Sequence, residues 1–204
     1  MSSYMVVAGV SEALRRVLWE EISADPEVSQ LFPSEQDIAF KNPTETVRNP
    51  SNRLSLWLYQ ITENEFMKNQ PMERGDRQDQ QRFPPLALNL SYLITPFANT
   101  NSSDSARRDE DHLIIGKVLQ VFHDNRIILL RDSVNDIAEE LRIIFKRLTL
   151  EELTRIWEAL REPYRLSVCY QVQVMRVDSR RVSTQARVVE REAGYGSTPT
   201  TGEA

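Results

Sequence analysis

From Leu148 to Val177 the chain reads as a capped helix, a proline stop and a long alternating strand, and that succession leaves few folds open. Thr149-Leu-Glu-Glu152 has the spacing of a capping box, in which the threonine oxygen accepts from a free first-turn N–H and Glu152 accepts from the cap residue's own N–H. Such a cap contributes about 1 kcal/mol. Leu148 and Leu153 stand at the two positions of a hydrophobic staple, and Leu153, Ile156, Trp157 and Leu160 make one apolar stripe. Pro163 stops the helix. Beyond it Leu166, Val168, Tyr170, Val172 and Val174 alternate with Ser167, Cys169, Gln171 and Gln173, the period of a strand with one apolar and one mixed face.

Two earlier segments predict further strands. In Arg53–Thr62, Leu54, Leu56 and Leu58 fall on one face and Trp57, Tyr59 and Ile61 on the other, as in an inner strand. Phe83-Pro84-Pro85 leads into Leu86, Leu88, Leu90, Tyr92 and Ile94, alternating with smaller or polar residues, and the prolines sit at the entry because they cannot donate to a ladder. Leu141, Ile143 and Phe145 alternate in the same way, Ile38 to Phe40 could form a short strand, and Ile127 to Leu130 is too short to assign by period. Helical spacing joins Val7, Val10, Leu14, Val17, Leu18 and Ile22, ending before Asp25-Pro26, and again joins Leu113, Ile114, Val118, Leu119 and Phe122. Leu31 to Pro50 reads mostly as connection, and Asn64 to Arg82 and Asn99 to Ser105 as polar loops. Interleaved helices and strands without a repeat predict an α+β (mixed α/β) fold: a single mixed sheet of about four to five strands flanked by helices. The expected division is a domain over 1–182 and a partly disordered tail over 183–204, where Gly194 onwards loses all apolar pattern.

A chain of 204 residues suits one domain, and 40% hydrophobic with 27% charged residues is ordinary for a packed core. A net charge of −5 argues against general nucleic-acid binding, which needs a surplus of Lys and Arg. The single cysteine, Cys169, has no internal partner, and the start lacks a basic region followed by an apolar run, so synthesis in the cytoplasm is expected. No apolar run approaches the roughly 18 to 20 residues of a membrane span, so no direct membrane insertion is expected.

Chemistry-bearing patterns are sparse. The six glycines form no phosphate loop, Ser55 and Ser167 lack the nucleophile-elbow pattern, and Asp76 to Asp79 lack calcium-loop spacing. His112 and His123, eleven positions apart on one predicted helix, cannot share a metal directly. Asp109, Glu110 and Asp111 beside His112 would suit a carboxylate-rich metal site, or an acidic first turn favoured by the helix dipole. Cys169 faces away from the apolar side, where a packed thiol is the ordinary reading. Trp57, Tyr59, Tyr92, Trp157 and Tyr164 lie on elements with apolar periodicity, as core or interface fillers do. Arg176, Arg180, Arg181, Arg187 and Arg191 concentrate positive charge; they would suit an acidic partner or a solvated face.

Three stretches taken together resemble the Pvc16-like N-terminal domain family of contractile injection system tail terminators. They are Leu54-Ser-Leu-Trp-Leu-Tyr-Gln-Ile-Thr-Glu-Asn64 with Lys68-Asn-Gln-Pro71, then Pro84-Pro-Leu-Ala-Leu-Asn-Leu-Ser-Tyr-Leu-Ile-Thr95, then Leu150 to Leu160 followed by Pro163-Tyr-Arg-Leu-Ser-Val-Cys-Tyr170. The resemblance spans roughly Met5 to Arg180. It implies a tail-terminator-like fold and a subunit that closes the distal end of a sheath and tube, as a hexameric ring, without catalysis, cofactor or metal. The implied partners are further copies of the chain and the sheath, inner tube or tube-terminating proteins of the same particle. Contacts are expected at Lys68, Asn69, Gln70, Arg74 and Arg77 of the long loop and at Arg180, Arg181 and Arg187 of the tail, with an open strand edge available to an extended arm. The competing expectations are a small-molecule or peptide binding module around Trp57 and Tyr92, and a metal-dependent enzyme around Asp109 to His112.

Overall fold

A computed structural model describes residues 5–67, 73–74, 80–82, 86–98, 103–131, 138–177 and 182–184. Helix α1 (Val6–Ser23) is followed by 3₁₀ turns at Ser29–Leu31 and Glu35–Asp37, strand β1 (Ile38–Ala39) and the short helix α2 (Pro43–Val47). Strands β2 (Leu54–Glu63), β3 (Glu73–Arg74), β4 (Gln80–Arg82) and β5 (Leu86–Pro96) come next, then helix α3 (Asp104–Asp124). Strands β6 (Ile127–Arg131) and β7 (Ala138–Phe145), helix α4 (Leu150–Leu160), and strands β8 (Val168–Val177) and β9 (Val182–Thr184) complete the described chain.

The main sheet has six strands in the order β1-β2-β5-β8-β7-β6. Only β1 and β2 pair in parallel; the other neighbours are antiparallel. Strand β8 inserts between β5 and β7, so the three longest strands form the centre of the sheet. Ile38–Ala39, expected as a possible short strand, forms one edge, and the sheet exceeds the expected four to five strands because Ile127–Arg131 pairs at the other. Neither is long enough to show a period of its own.

One face of this sheet carries the core. Val10, Leu14, Leu18 and Ile22 of α1 and Ile114, Val118, Val121 and Phe122 of α3 bury against Leu54, Leu56, Leu90, Tyr92, Ile94, Leu141, Ile143, Tyr170, Val172 and Val174. Tyr170 meets Phe122 and Phe145 edge-on, with ring centroids 4.9 and 5.4 Å apart. The Tyr92 hydroxyl, pushed up to about 12 chiefly by burial, lies 2.8 Å from Ser11 Oγ, so its polar end is satisfied inside the apolar layer.

Helix α4 lies over the opposite face. Its Trp157 is buried outside the main core and its indole N–H donates to Ser167 Oγ at 3.4 Å. The capping box is present in both directions, Glu152 N–H to Thr149 Oγ1 at 3.2 Å and Thr149 N–H to Glu152 Oε2 at 2.8 Å. The helix ends at Leu160, before Pro163, because Arg161 takes the left-handed conformation at φ 56° and closes the last turn.

Four local expectations need correction. A β-bulge between Leu58 and Gln60 resets the register, placing Ile61 opposite Leu90 on the Leu54 face rather than with Trp57. Leu31 to Pro50 contains α2, capped by Asn42 Oδ1 accepting from Glu45 N–H at 2.8 Å with proline in its first turn. Helix α3 starts at Asp104 with Ser103 as its cap, so Asp109 to Asp111 lie beyond the first turn, where the dipole argument has little force. In the same helix Leu113 and Leu119 face outward, and Ile114, Ile115, Val118, Val121 and Phe122 form the buried stripe.

Candidate functional site

The long loop and the C-terminal tail meet. Within the stretch expected to be a polar loop, β3 pairs with β4, and β4 pairs with β9, giving a second, three-stranded sheet. The pairs are Gln80 with Thr184, Gln81 with Ser183 and Arg82 with Val182, while Leu86 pairs with Val177 in the main sheet. Of the residues expected at an assembly interface, Arg74 is placed in β3 opposite Gln81. Lys68, Asn69, Gln70, Arg77, Arg180, Arg181 and Arg187 lie outside the described residues, as does Arg191.

On the α4 side of the main sheet, hydroxyl, amide and ammonium groups gather. Tyr59 Oη lies 3.2 Å from Cys169 Sγ, and Lys146 Nζ donates to Ser91 Oγ at 3.3 Å and to Gln60 Oε1 at 3.4 Å. The Lys146 ammonium also stands 5.9 Å from the Tyr59 ring centre. Burial pushes both the Tyr59 hydroxyl and the Cys169 thiol upward, so the thiol stays protonated at neutral pH and is a poor nucleophile. Nearer the edge, Ile127 and Leu129 of β6 and Ile144 of β7 are exposed, and among the described residues no strand pairs with the outer edge of β6.

The residues of the competing expectations are not brought together. Trp57 pairs with Leu93 and Leu58 with Tyr92, so Trp57 and Tyr92 project from opposite faces of the sheet. Asp111 Oδ1 is engaged by the Ala98 backbone N–H at 2.9 Å, and Arg126 Nη2 lies 2.8 Å from His123 Nδ1. Among the described residues no three His, Cys, Asp or Glu side chains are grouped as metal ligands. None of the described helices is long and apolar enough to cross a membrane.

The structure also assembles a cleft of about 420 Å³ that no linear motif announces. Arg53 before β2, Arg107 and Arg108 on α3, and Arg165 between α4 and β8 share it with a single carboxylate, Asp111. Its frame is tied down: Phe97 N–H donates to Arg53 O at 2.8 Å, and the Arg165 guanidinium sits 5.2 Å from the Phe97 ring centre. Burial raises the Asp111 carboxyl, opposed by the Ala98 N–H and by Arg165. Because the arginines come from three separate segments, sequence spacing carries no signal of their convergence.

The described chain is thus an α+β domain with two helices packed on one face of a six-stranded sheet, and with segments of the long loop and tail paired in a second sheet. The family profile of the Pvc16 N-terminal domain matches residues 9–191, and the chain belongs to that family. Among solved structures, the sheath/tube terminator of an extracellular contractile injection system, PVC, in its extended state is similar at TM-score 0.58 and 19% identity, covering 95% of this chain and 65% of that one. The anti-feeding prophage cap, a tube-terminating cap, is similar at TM-score 0.57 and 20% identity, covering 91% of this chain and 60% of that one. The chain thus spans less than two thirds of the length of either protein. No curated protein sequence matches it.

Proposed function

We propose that this chain is a non-enzymatic terminator subunit that closes the distal end of the sheath and tube of a contractile injection system. The observation that carries the reading is the family match over residues 9–191, with the fold shared by a sheath/tube terminator across 95% of the chain. The subunit works as a hexameric ring that contacts sheath and tube or tube-terminating proteins, with no catalytic step, cofactor or metal. It is made in the cytoplasm and then joins the particle. Residues 1–182 act as the terminator domain, and 183–204 as a tail that helps hold neighbours. The pairing of β4 with β9 supports one continuous contact surface for the loop and tail, so Lys68, Asn69, Gln70, Arg74, Arg77, Arg180, Arg181 and Arg187 act as one patch. Heterologous contacts that close about an axis give the ring, and the open β6 edge can take an extended arm of a neighbour.

Incubation with purified, uncapped sheath–tube particles, followed by sedimentation and electron microscopy, tests this. The expected result is co-sedimentation, with density for six copies at one end. Protein that stays monomeric in the supernatant would sink the terminator reading, and end density of another symmetry would sink the hexamer alone.

A further inference from the structure

The outward face of α3 carries a glycine for which the fold supplies no steric reason. Gly116 sits in the middle of the 21-residue helix and is exposed, and a Cβ built on it would meet no described atom within 4 Å beyond its chain neighbours and the helix's own backbone. Glycine disfavours a helix interior more than any residue except proline, so an open position of this kind is better filled by alanine. Six further exposed residues share the face at helical spacing: Asp109, His112, Leu113, Leu119, Gln120 and His123. They stand symmetrically about the glycine. Leu113 and Leu119 lie three positions to either side of it, His112 and Gln120 four, and Asp109 and His123 seven. We propose that this face is a contact between two copies of the chain, their α3 helices crossing antiparallel at Gly116.

An antiparallel crossing at Gly116 brings each residue of the strip to the height of its mirror position on the second helix. Leu113 then lies beside the second copy's Leu119, and Asp109 beside the second copy's His123. His123 is joined to the Arg126 guanidinium, with Nη2 2.8 Å from Nδ1, so the acidic start of one strip meets the cationic end of the other. Asp124 stands further round the helix, at the margin of the strip. Both leucines and both charges belong to one chain, so the strip is complementary to itself, which contact with an unrelated protein would not require. The absent side chain at Gly116 lets the two backbones approach, because the interaxial distance of about 8–10 Å is set by the side chains at the crossing. Beside the C-terminal half of the helix a groove of about 700 Å³ opens between Leu119 and Gln120 on α3 and Phe145 and Tyr170 on the sheet, which leaves room for the second copy's Leu113 next to Leu119. A two-fold contact closes on itself, so it gives a dimer, or joins two rings face to face; it is separate from the heterologous contacts of a ring and does not rest on the terminator reading. One helix face buries less than the roughly 800 Å² per partner of a standard interface, so the dimer forms at high protein concentration.

Sedimentation velocity of the full chain over a concentration series is the direct test, and a reversible monomer–dimer equilibrium is the expected result. Gly116→Trp should weaken association at least roughly tenfold by forcing the helix axes apart. Gly116→Ala should weaken it less while raising resistance to urea, two opposite signs that a purely structural glycine would not give. Asp109→Arg and Arg126→Asp should each weaken self-association roughly tenfold by setting like charges against each other, and an equimolar mixture of the two should associate again, because each supplies the charge the other lacks. Circular dichroism of each variant checks folding; Gly116→Trp and Asp109→Arg, both at exposed positions, keep the test decisive if Arg126→Asp does not fold. A chain that is monomeric at every concentration, folded variants that self-associate as the wild type does, or a mixture of the two folded charge variants that stays apart would each overturn the proposal. So would a monomeric wild type whose binding to sheath–tube particles is lost in Gly116→Trp, since the face then serves another protein. Dimerisation without particle co-sedimentation sinks the terminator reading and spares this contact, whereas co-sedimentation of a chain that never dimerises sinks the contact alone.

Discussion

The two faces of the main sheet are built on different principles. The face under α1 and α3 is a continuous apolar layer in which residues from both helices and from β2, β5, β6, β7 and β8 bury one another. The face under α4 has Trp157 as that helix's one fully buried residue, its indole bonded to Ser167 and its ring against Tyr164, and the same face carries a thiol, hydroxyls, a glutamine and a lysine. The first face distributes its stability over many contacts, and no single residue defines it. The second concentrates its helix docking in one side chain and leaves Ile127, Leu129 and Ile144 exposed near the β6 edge. The buried apolar layer is concentrated on the first face.

The largest effect that would test this contrast is Trp157→Ala. Truncating a buried tryptophan costs about 3–5 kcal/mol, and here the loss should be local. Hydrogen exchange should show amides of α4 losing protection while those of α1 and α3 keep theirs; simultaneous loss on both faces would break the distinction. Leu18→Ala, at a fully buried position of α1, should cost about 3 kcal/mol in urea unfolding and lower protection throughout the sheet. Thr149→Ala removes the cap oxygen that Glu152 N–H uses, at a cost of about 1 kcal/mol, with exchange rising first at the start of α4.

Arg161→Gly should stabilise by about 0.5–1 kcal/mol, because glycine takes the φ of 56° without Cβ strain; a lower melting temperature would show that the arginine side chain matters there. The smallest effect concerns acid. Hydrogen bonding to Lys117 at 2.8 Å, aided by the Glu27 and Val28 N–H groups, holds the Asp25 carboxyl below its ordinary 3.8. A depressed carboxylate stabilises fully above its unfolded value and loses that contribution as pH falls through the folded one. The difference in melting temperature between the wild type and Asp25→Asn should therefore shrink below pH 3.8 and be constant above it.

The contrast between the faces also explains which parts were legible beforehand. The stripe of α1, the alternation of β5 and β8, and the Thr149–Glu152 cap follow from periods and side-chain chemistry that repeat within a few residues, and they occur as expected except at the strand starts, where Leu86 and Leu166 are exposed and β8 begins only at Val168. The β1 edge was legible only as a possible strand, and the β6 edge and the β3–β4–β9 sheet were not readable. Strands of two to five residues show too little period, and their hydrogen-bond partners lie far away in sequence. Ile61 shows the same limit in one residue: a bulge shifts every later side chain to the other face, and nothing local in Leu58-Tyr-Gln60 signals it.

By itself, the amino-acid order determined the α+β class, the core helices and long strands, and the family resemblance, because apolar period and capping act over single turns and pleats. Only the tertiary structure decided that the long loop and tail share a sheet, that Trp57 and Tyr92 are separated by the sheet, and that four arginines from three segments enclose one cleft. Those outcomes depend on strand order and register, which are set by long-range pairing and by burial of whole faces, and no short window of residues contains that information.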